Sequence, residues 1–269
     1  MLSKTMTIHQ LNYGALILYI FASIHFIHKS HTFLTQLPYF YEPNITSTNT
    51  SFVLSEDTSR HCVQVLRMQA GEQLQLTDGT GNTYTAAITK ADKKHCEVRI
   101  QDTRFKGQVT RRVCIAISLL KNASRFEWFL EKATEMGVQE IIPLLCGRTE
   151  RQHFRYDRMQ SITIAAMLQS QQCWLPQLHQ PTPLQQVIVK NDYTDKRIAH
   201  CIAEEDKRFI NDFPVQNDVQ ILIGPEGDFT SKEIELALQH GYLPVSLGNT
   251  RLRTETAGVL ASALLMYSH

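Results

Sequence analysis

At 269 residues, 43% of them hydrophobic, the chain is long enough for one large domain or two medium ones with sizeable buried cores. Its formal net charge of +1 excludes a uniformly basic nucleic-acid binder, so any contact with RNA rests on local patches. The six cysteines (62, 96, 114, 146, 173 and 201) form no CxxC pair; this argues against a zinc site and fits reduced, buried thiols in a cytoplasmic protein.

Along the chain, the first feature is an uncharged apolar run from Leu11 to Ile27, flanked by Lys4 and Lys29. Seventeen residues lie at the lower limit for spanning a bilayer, and no small-x-small cleavage site follows. Residues 1–36 are therefore read as an extension of open status. A membrane anchor and a helix packed on the folded part are the alternatives, and membrane attachment is not expected.

Asn44 to Ser51 reads as a loop, and Asp57 to Leu66 as a short helix capped near Ser55 or Asp57. Short alternating runs follow at Gln73–Thr77, Thr83–Ile88 and His95–Ile100, with Asp78-Gly79 and Gly81-Asn82 marking turns. The pattern predicts a small antiparallel barrel over residues 37–108, closed by a polar link from Asp102 to Arg112. From Val113 the pattern becomes strand–helix alternation, which predicts a parallel α/β sheet over residues 109–269. Strands are expected at Val113–Leu119, Ile141–Leu145, Arg197–Ala203, Val219–Ile223 and Leu243–Leu247. Helices are expected at Arg125–Met136, Arg155–Gln172, Ser231–Gln239 and Thr254–Tyr267.

Two junctions stand out. Ile221-Leu-Ile-Gly-Pro-Glu-Gly-Asp-Phe-Thr230 and Leu247-Gly-Asn-Thr-Arg-Leu-Arg-Thr-Glu-Thr-Ala257 each carry an apolar strand into a loop and then a helix. Such junctions expose backbone N–H and C=O groups at the C-terminal edge of a sheet, where open α/β folds bind small ligands. Neither loop has Walker or dinucleotide spacing, so a phosphate cradle is not indicated.

The wording of these loops resembles the RsmE family, the 16S rRNA uracil-N3 methyltransferases of the SPOUT superfamily. The resemblance extends from about Leu37 to the C-terminus. His61-Cys-Val-Gln-Val-Leu-Arg-Met-Gln-Ala-Gly71 and Asp78-Gly-Thr-Gly-Asn-Thr-Tyr84 look like the family's PUA-like RNA-binding domain. Lys121, Glu131-Lys-Ala-Thr-Glu-Met-Gly-Val138 and Gln169-Ser170 match its middle motifs. The resemblance implies a knotted trefoil methyltransferase domain behind a PUA-like barrel, S-adenosylmethionine as cofactor and no metal. It further implies 16S rRNA in the small ribosomal subunit as substrate, and a homodimer in which the C-terminal helix (Val259, Leu260, Ala263, Leu264) offers an apolar face.

By the same resemblance, Leu222, Ile223, Gly224, Glu226 and Gly227 line one side of the cofactor, and Leu247, Gly248, Leu252, Thr254, Thr256 and Ala257 the other. Arg253 is expected to grip O2 or O4 of a uracil anion, since a guanidinium stays charged and favours the deprotonated base. Its plainer role is a salt bridge to Glu255 or Glu226. Glu255 is a second catalytic candidate, against the plainer role of a charge at a helix N-terminus. Arg60, His61, Arg67, Lys121, Arg125 and Arg148 are the expected RNA contacts, against the plainer reading of surface charges.

Three sites depart from the family pattern. Thr250 stands at the first Arg position of G-x-R-I-L-R-T-E-T-A and Arg251 at the Ile. Asp228 replaces a second glycine, and Gln171-Gln172 follow Gln169-Ser170 where many members carry an Arg. Two other classes of function stay open. One is a non-catalytic RNA-binding or assembly protein, against which the intact LRTETA argues; the other is a membrane-attached protein using Leu11–Ile27.

Overall fold

The computed structural model describes residues 37–108, 111–150, 153–190, 192–201, 207–214 and 218–267; the apolar run Leu11–Ile27 lies outside them. The first sheet is built from β1 (Tyr39–Tyr41), β2 (Ser51–Val53), β3 (Gln73–Thr77), β4 (Asn82–Lys90) and β5 (Glu97–Phe105), in the order β1-β3-β4-β5-β2. Period-two alternation explains its core: Leu74 and Leu76 of β3, Tyr84, Ala86 and Ile88 of β4 and Val98 of β5 all point inward and are buried. Helix α1 (Glu56–Arg60) starts at Ser55, whose hydroxyl accepts from Thr58 N at 3.4 Å; it widens into one π-turn at His61–Val65 that drops Cys62 into this core.

Two expectations need correction here. The β1–β3 pair is parallel, not antiparallel, because a long excursion separates the two strands and lets β1 enter from the same side. The polar link is shorter than the composition suggested: β5 continues to Phe105 and the next strand starts at Arg112, since exposed polar residues pair as readily as apolar ones on a solvated ribbon.

The α/β part runs β6 (Arg112–Ser118), α2 (Ala123–Glu135), β7 (Glu140–Leu145), α3 (Tyr156–Gln169), β8 (Gln177–Leu178), β9 (Thr182–Pro183), α4 (Leu184–Val189), β10 (Asp195–Ala199), β11 (Arg208–Phe209), β12 (Asp218–Ile223), α5 (Ser231–Gln239), β13 (Leu243–Ser246) and α6 (Thr254–Tyr267). Its strands pair in parallel in the order β11-β13-β10-β12-β6-β7-β8, with β9 also beside β7. The central strands β6 and β12 are buried along nearly their whole length because helices cover both faces; the buried polar Gln220 of β12 is satisfied by Tyr242, whose hydroxyl donates to it at 2.6 Å. Ile115, Ile117, Ile221 and Ile223 face α2, α3 and α6, whereas Cys114, Ala116 and Leu222 face α4 and α5. Gly258 lets α6 lie directly on the sheet: a Cβ there would sit 2.7 Å from Ile117 Cδ1 and 2.8 Å from the Phe129 ring.

The strand expected at Arg197–Ala203 is Asp195–Ala199, and the helix expected at Arg155–Gln172 is Tyr156–Gln169. The short elements β1, β8, β9, α4 and β11 carry too little periodicity to be seen in sequence. Cys62, Cys96, Cys114 and Cys173 are buried free thiols as expected, but Cys201 is exposed.

At the N-terminal edge of the sheet, Glu140 accepts hydrogen bonds from Arg112 (3.0 Å), His179 (2.8 Å) and Tyr193. Burial pushes its carboxyl up, but the His179 and Tyr193 bonds and the charges of His179 and Arg112 outweigh burial and hold it down at about 2. This network pins the start of β6 and β7 to the segment before β10, on the far side of the sheet from the loops described next.

Candidate functional site

The two loops singled out in the sequence meet at the C-terminal edge of the sheet. β12 ends at Ile223 and β13 at Ser246, and each chain continues through a loop into α5 or α6. The Thr254 hydroxyl, on a residue only 5% exposed, donates to the Gly224 carbonyl at 3.0 Å and ties the loops together. Leu222, Ile223 and Gly224 are buried beneath this joint, while Glu226, Gly227 and Gly248 are exposed at its rim. Leu247, Leu252 and Ala257 are half-buried, and Thr256 is exposed.

The first loop is held from several sides. Asp228 N donates to Pro225 O at 2.9 Å, closing a tight turn. Gly224 fits it because a Cβ would meet the Phe229 ring at 3.1 Å. Asp228 has φ +63°, a region that Asp tolerates better than most residues. Its carboxylate accepts from Phe229 N and from Cys201 N, each at 2.8 Å, so both oxygens are taken up by backbone amides. Arg148 donates to the Gly227 carbonyl at 2.7 Å. Thr230 and Glu233 form a capping box on α5, and Glu233 also accepts from Gly147 N at 2.7 Å, which joins the loop after β7 to the same corner. Gly248 in the second loop has φ +136° and open space where a Cβ would be.

The charged candidates divide. Arg253 is exposed at the rim. Glu255 is 6% exposed and pairs with Arg125 at 3.6 Å rather than with Arg253. The second carboxylate oxygen of Glu255 has no hydrogen-bond partner among the described residues. Lys121 pairs with Glu150 at 2.8 Å, and that hydrogen bond raises its pKa. Burial pushes the Cys146 thiol, at the end of β7, up to about 12, so it is no nucleophile at neutral pH. No group of three His, Cys, Asp or Glu among the described residues is arranged to hold a metal.

Three expected RNA contacts lie elsewhere, in the first domain: Arg60 ends α1, His61 opens the π-turn and Arg67 lies just past it. Arg60 bonds Glu56 at 2.9 Å, His61 is exposed with its ring edge-on to Phe40, and Arg67 is exposed with φ +57°. Sequence reasoning missed the loop-holding role of Arg148, the Arg125–Glu255 pair and the Asp228–Cys201 tie. Only the Thr230-Ser-Lys-Glu233 capping pattern was visible as a local signal.

Comparison with known proteins agrees with this layout. Residues 108–266 match the family model of an RNA methyltransferase domain, and residues 54–101 that of an RNA methyltransferase PUA domain. A ribosomal RNA small subunit methyltransferase E from Synechocystis sp. is 31% identical over 207 residues, which are 74% of this chain and 67% of that protein. The crystal structure of a probable rRNA-methyltransferase from Porphyromonas gingivalis is 40% identical with a TM-score of 0.79, covering 85% of this chain and 97% of its own. That of a ribosomal RNA small subunit methyltransferase E from Neisseria gonorrhoeae bound to S-adenosyl methionine is 27% identical with a TM-score of 0.77, covering 86% and 97%.

Proposed function

The chain belongs to the RsmE family of RNA methyltransferases, and from that premise we propose that it methylates N3 of a uridine in 16S rRNA with S-adenosylmethionine as donor. The observation that carries this reading is the Thr254–Gly224 hydrogen bond, which brings the two loops together at one place on the sheet edge. The residues present fit the donor. Gly248 leaves open space at the rim, and Gly224 packs so closely on Phe229 that a Cβ there would lie 3.1 Å from its ring. Leu222, Ile223, Gly224, Glu226 and Gly227 hold one side of the cofactor, and Leu247, Gly248, Leu252, Thr254, Thr256 and Ala257 the other.

When bound, the sulfonium supplies an electrophilic methyl group, and the protein's share of the work is orientation and charge stabilisation. N3 of uracil carries a proton at neutral pH. Arg253, exposed at the rim, grips O2 or O4 and favours the base as an anion. Glu255 is the second catalytic candidate: one of its carboxylate oxygens is buried and has no hydrogen-bond partner among the described residues. Arg125 holds that carboxylate in place, and Arg148 shapes the cofactor loop in addition to any phosphate contact. Lys121 beside the cleft and Arg60, His61 and Arg67 on the first domain contact RNA backbone.

The division at residues 37–108 and 109–269, a trefoil knot threading the C-terminal helix, and a cytoplasmic site of action belong to the same reading. So does a homodimer. Val259, Leu260, Ala263 and Leu264 of α6 are only half-buried in the single chain, and this apolar stripe suits a second copy. Among the described residues no helix is long and apolar enough to cross a membrane.

The test is to map methylated uridines in 16S rRNA from a strain lacking the gene, and to add back the purified protein with S-adenosylmethionine. Loss of one N3-methyluridine and its restoration in vitro support the reading. An rRNA with unchanged uridines favours the alternative, an inactive RNA-binding or assembly protein of the same fold.

A further inference from the structure

The Asp78-Gly-Thr-Gly-Asn82 turn takes no part in the cleft, yet it is tightly built. Asp78 accepts from Thr80 N at 2.8 Å and from the Asn82 side chain at 2.6 Å. Gly79 and Gly81 both have left-handed φ, +74° and +99°. What occupies the space their missing side chains leave is the loop between α3 and β8. A Cβ on Gly81 would lie 2.5 Å from the Trp174 ring, and one on Gly79 would lie 3.2 Å from Leu175 Cβ and 2.9 Å from the Tyr41 ring of the first sheet. Gly81 N donates to Cys173 O and Leu175 N to Gly79 O, each at 2.9 Å, and Thr80 bridges Trp174 as a short antiparallel pair. The indole N–H of Trp174 donates to Lys106 O at 2.8 Å, at the first residue of the link between the domains.

The same loop is rooted in the methyltransferase domain. The Gln172 side chain donates to the Thr134 and Glu135 carbonyls at 2.9 and 2.8 Å, capping the end of α2, while Tyr39 of the first sheet donates to Gln172 O at 3.0 Å. The two domains are thus joined twice: by the covalent link and by an inserted loop whose central side chain pins that link.

We infer that Trp174 is a positioning residue for RNA: it locks the PUA-like domain against the methyltransferase domain, so that the spacing between the proposed RNA contacts at Arg60, His61 and Arg67 and the methyl-transfer loops is fixed before substrate arrives. This rests on the RNA methyltransferase reading above. A chain with both contacts held rigid binds its second RNA segment as an intramolecular event, whereas a domain loose on its link loses much of that advantage. Trp174 touches neither cofactor nor base; its effect falls on RNA affinity.

The experiment compares wild type, Trp174→Ala and Trp174→Phe, the last keeping a ring in the Gly81 slot without the bond to Lys106. Three quantities are measured: KM for small-subunit rRNA, kcat at saturating rRNA, and the calorimetric affinity for S-adenosylmethionine. The inference expects Trp174→Ala to raise KM by about tenfold or more, with kcat and cofactor affinity unchanged. Trp174→Phe should fall between it and wild type, and it carries the test alone if the alanine variant does not fold. An unchanged KM in both variants, or a parallel loss of kcat and cofactor binding, overturns it. A wild type that transfers no methyl group defeats the methyltransferase reading instead; the joint is then judged by the same fold-change in rRNA binding.

Discussion

Thr254 and Gly224 stand thirty positions apart in the chain and share a 3.0 Å hydrogen bond at the C-terminal edge of the sheet. One donor is a side chain at the first turn of α6; the acceptor is a backbone carbonyl just past β12. Because the bond is buried, it acts as a latch between the two loops proposed to hold the cofactor.

Replacing Thr254 by Val keeps the shape and removes the donor, leaving a buried carbonyl unsatisfied at a cost of about 1–3 kcal/mol. The expected result is a cofactor affinity lower by roughly tenfold, since about 1.4 kcal/mol corresponds to one decade. Thr254→Ser restores the hydroxyl and should restore affinity. Calorimetric titration of the two variants checks this, and equal affinities for Val and Ser remove the latch from the account.

Arg253→Ala separates chemistry from cofactor binding. The exposed guanidinium is assigned to the base, so the variant should bind S-adenosylmethionine normally while kcat falls by about 10²–10³-fold, the usual loss for one charge-stabilising group. Arg253→Lys keeps the charge without the planar fork and should recover part of the rate. A single-turnover methyl-transfer assay reads both, and a variant with full rate shows that the charge acts elsewhere.

Gly258→Val tests the close approach of α6 to the sheet. Even a Cβ would lie 2.7–2.8 Å from Ile117 and Phe129, so the helix must shift. Overpacking of this kind costs about 1–3 kcal/mol, and melting should come several degrees lower. A melting temperature equal to wild type contradicts the packing described for α6.

The Glu140 network predicts an acid-dependent loss of stability. Its carboxyl is held at about 2 in the folded protein, below the ordinary value of 4.5. A depressed folded pKa stabilises above the unfolded value, and that contribution is lost as pH falls from about 4.5 towards 2. Denaturant titrations across this window should show a steeper fall in stability for wild type than for Glu140→Gln, which cannot titrate. Identical slopes would place the acid sensitivity in other carboxylates.

Much of this was legible in the sequence because local pattern and global fold agree. The apolar runs of β6 and β12 could only be strands covered on both faces, and Thr254–Tyr267 was bounded by its own loop. The pairing of the two loops was legible only through the wording of their motifs. The partners of the charged residues were not legible. Nothing in the sequence shows that Arg148 holds Gly227 and Arg125 pairs with Glu255, because an arginine's partner is set by tertiary neighbours rather than by its position in a motif. Asp228 stood out only as a replacement of glycine; its bond from Cys201 N depends on where the chain after β10 runs. The joint at Trp174 was hidden for the same reason, since its two halves lie far apart in sequence.

The central claim is that residues 222–227 and 247–257 form one cleft for a methylsulfonium donor. Calorimetric titration of the purified wild-type chain with S-adenosylmethionine tests it most directly. Saturable binding in the micromolar range, weakened in Thr254→Val, is the predicted result. A wild type that gives no binding heat up to millimolar donor contradicts the account.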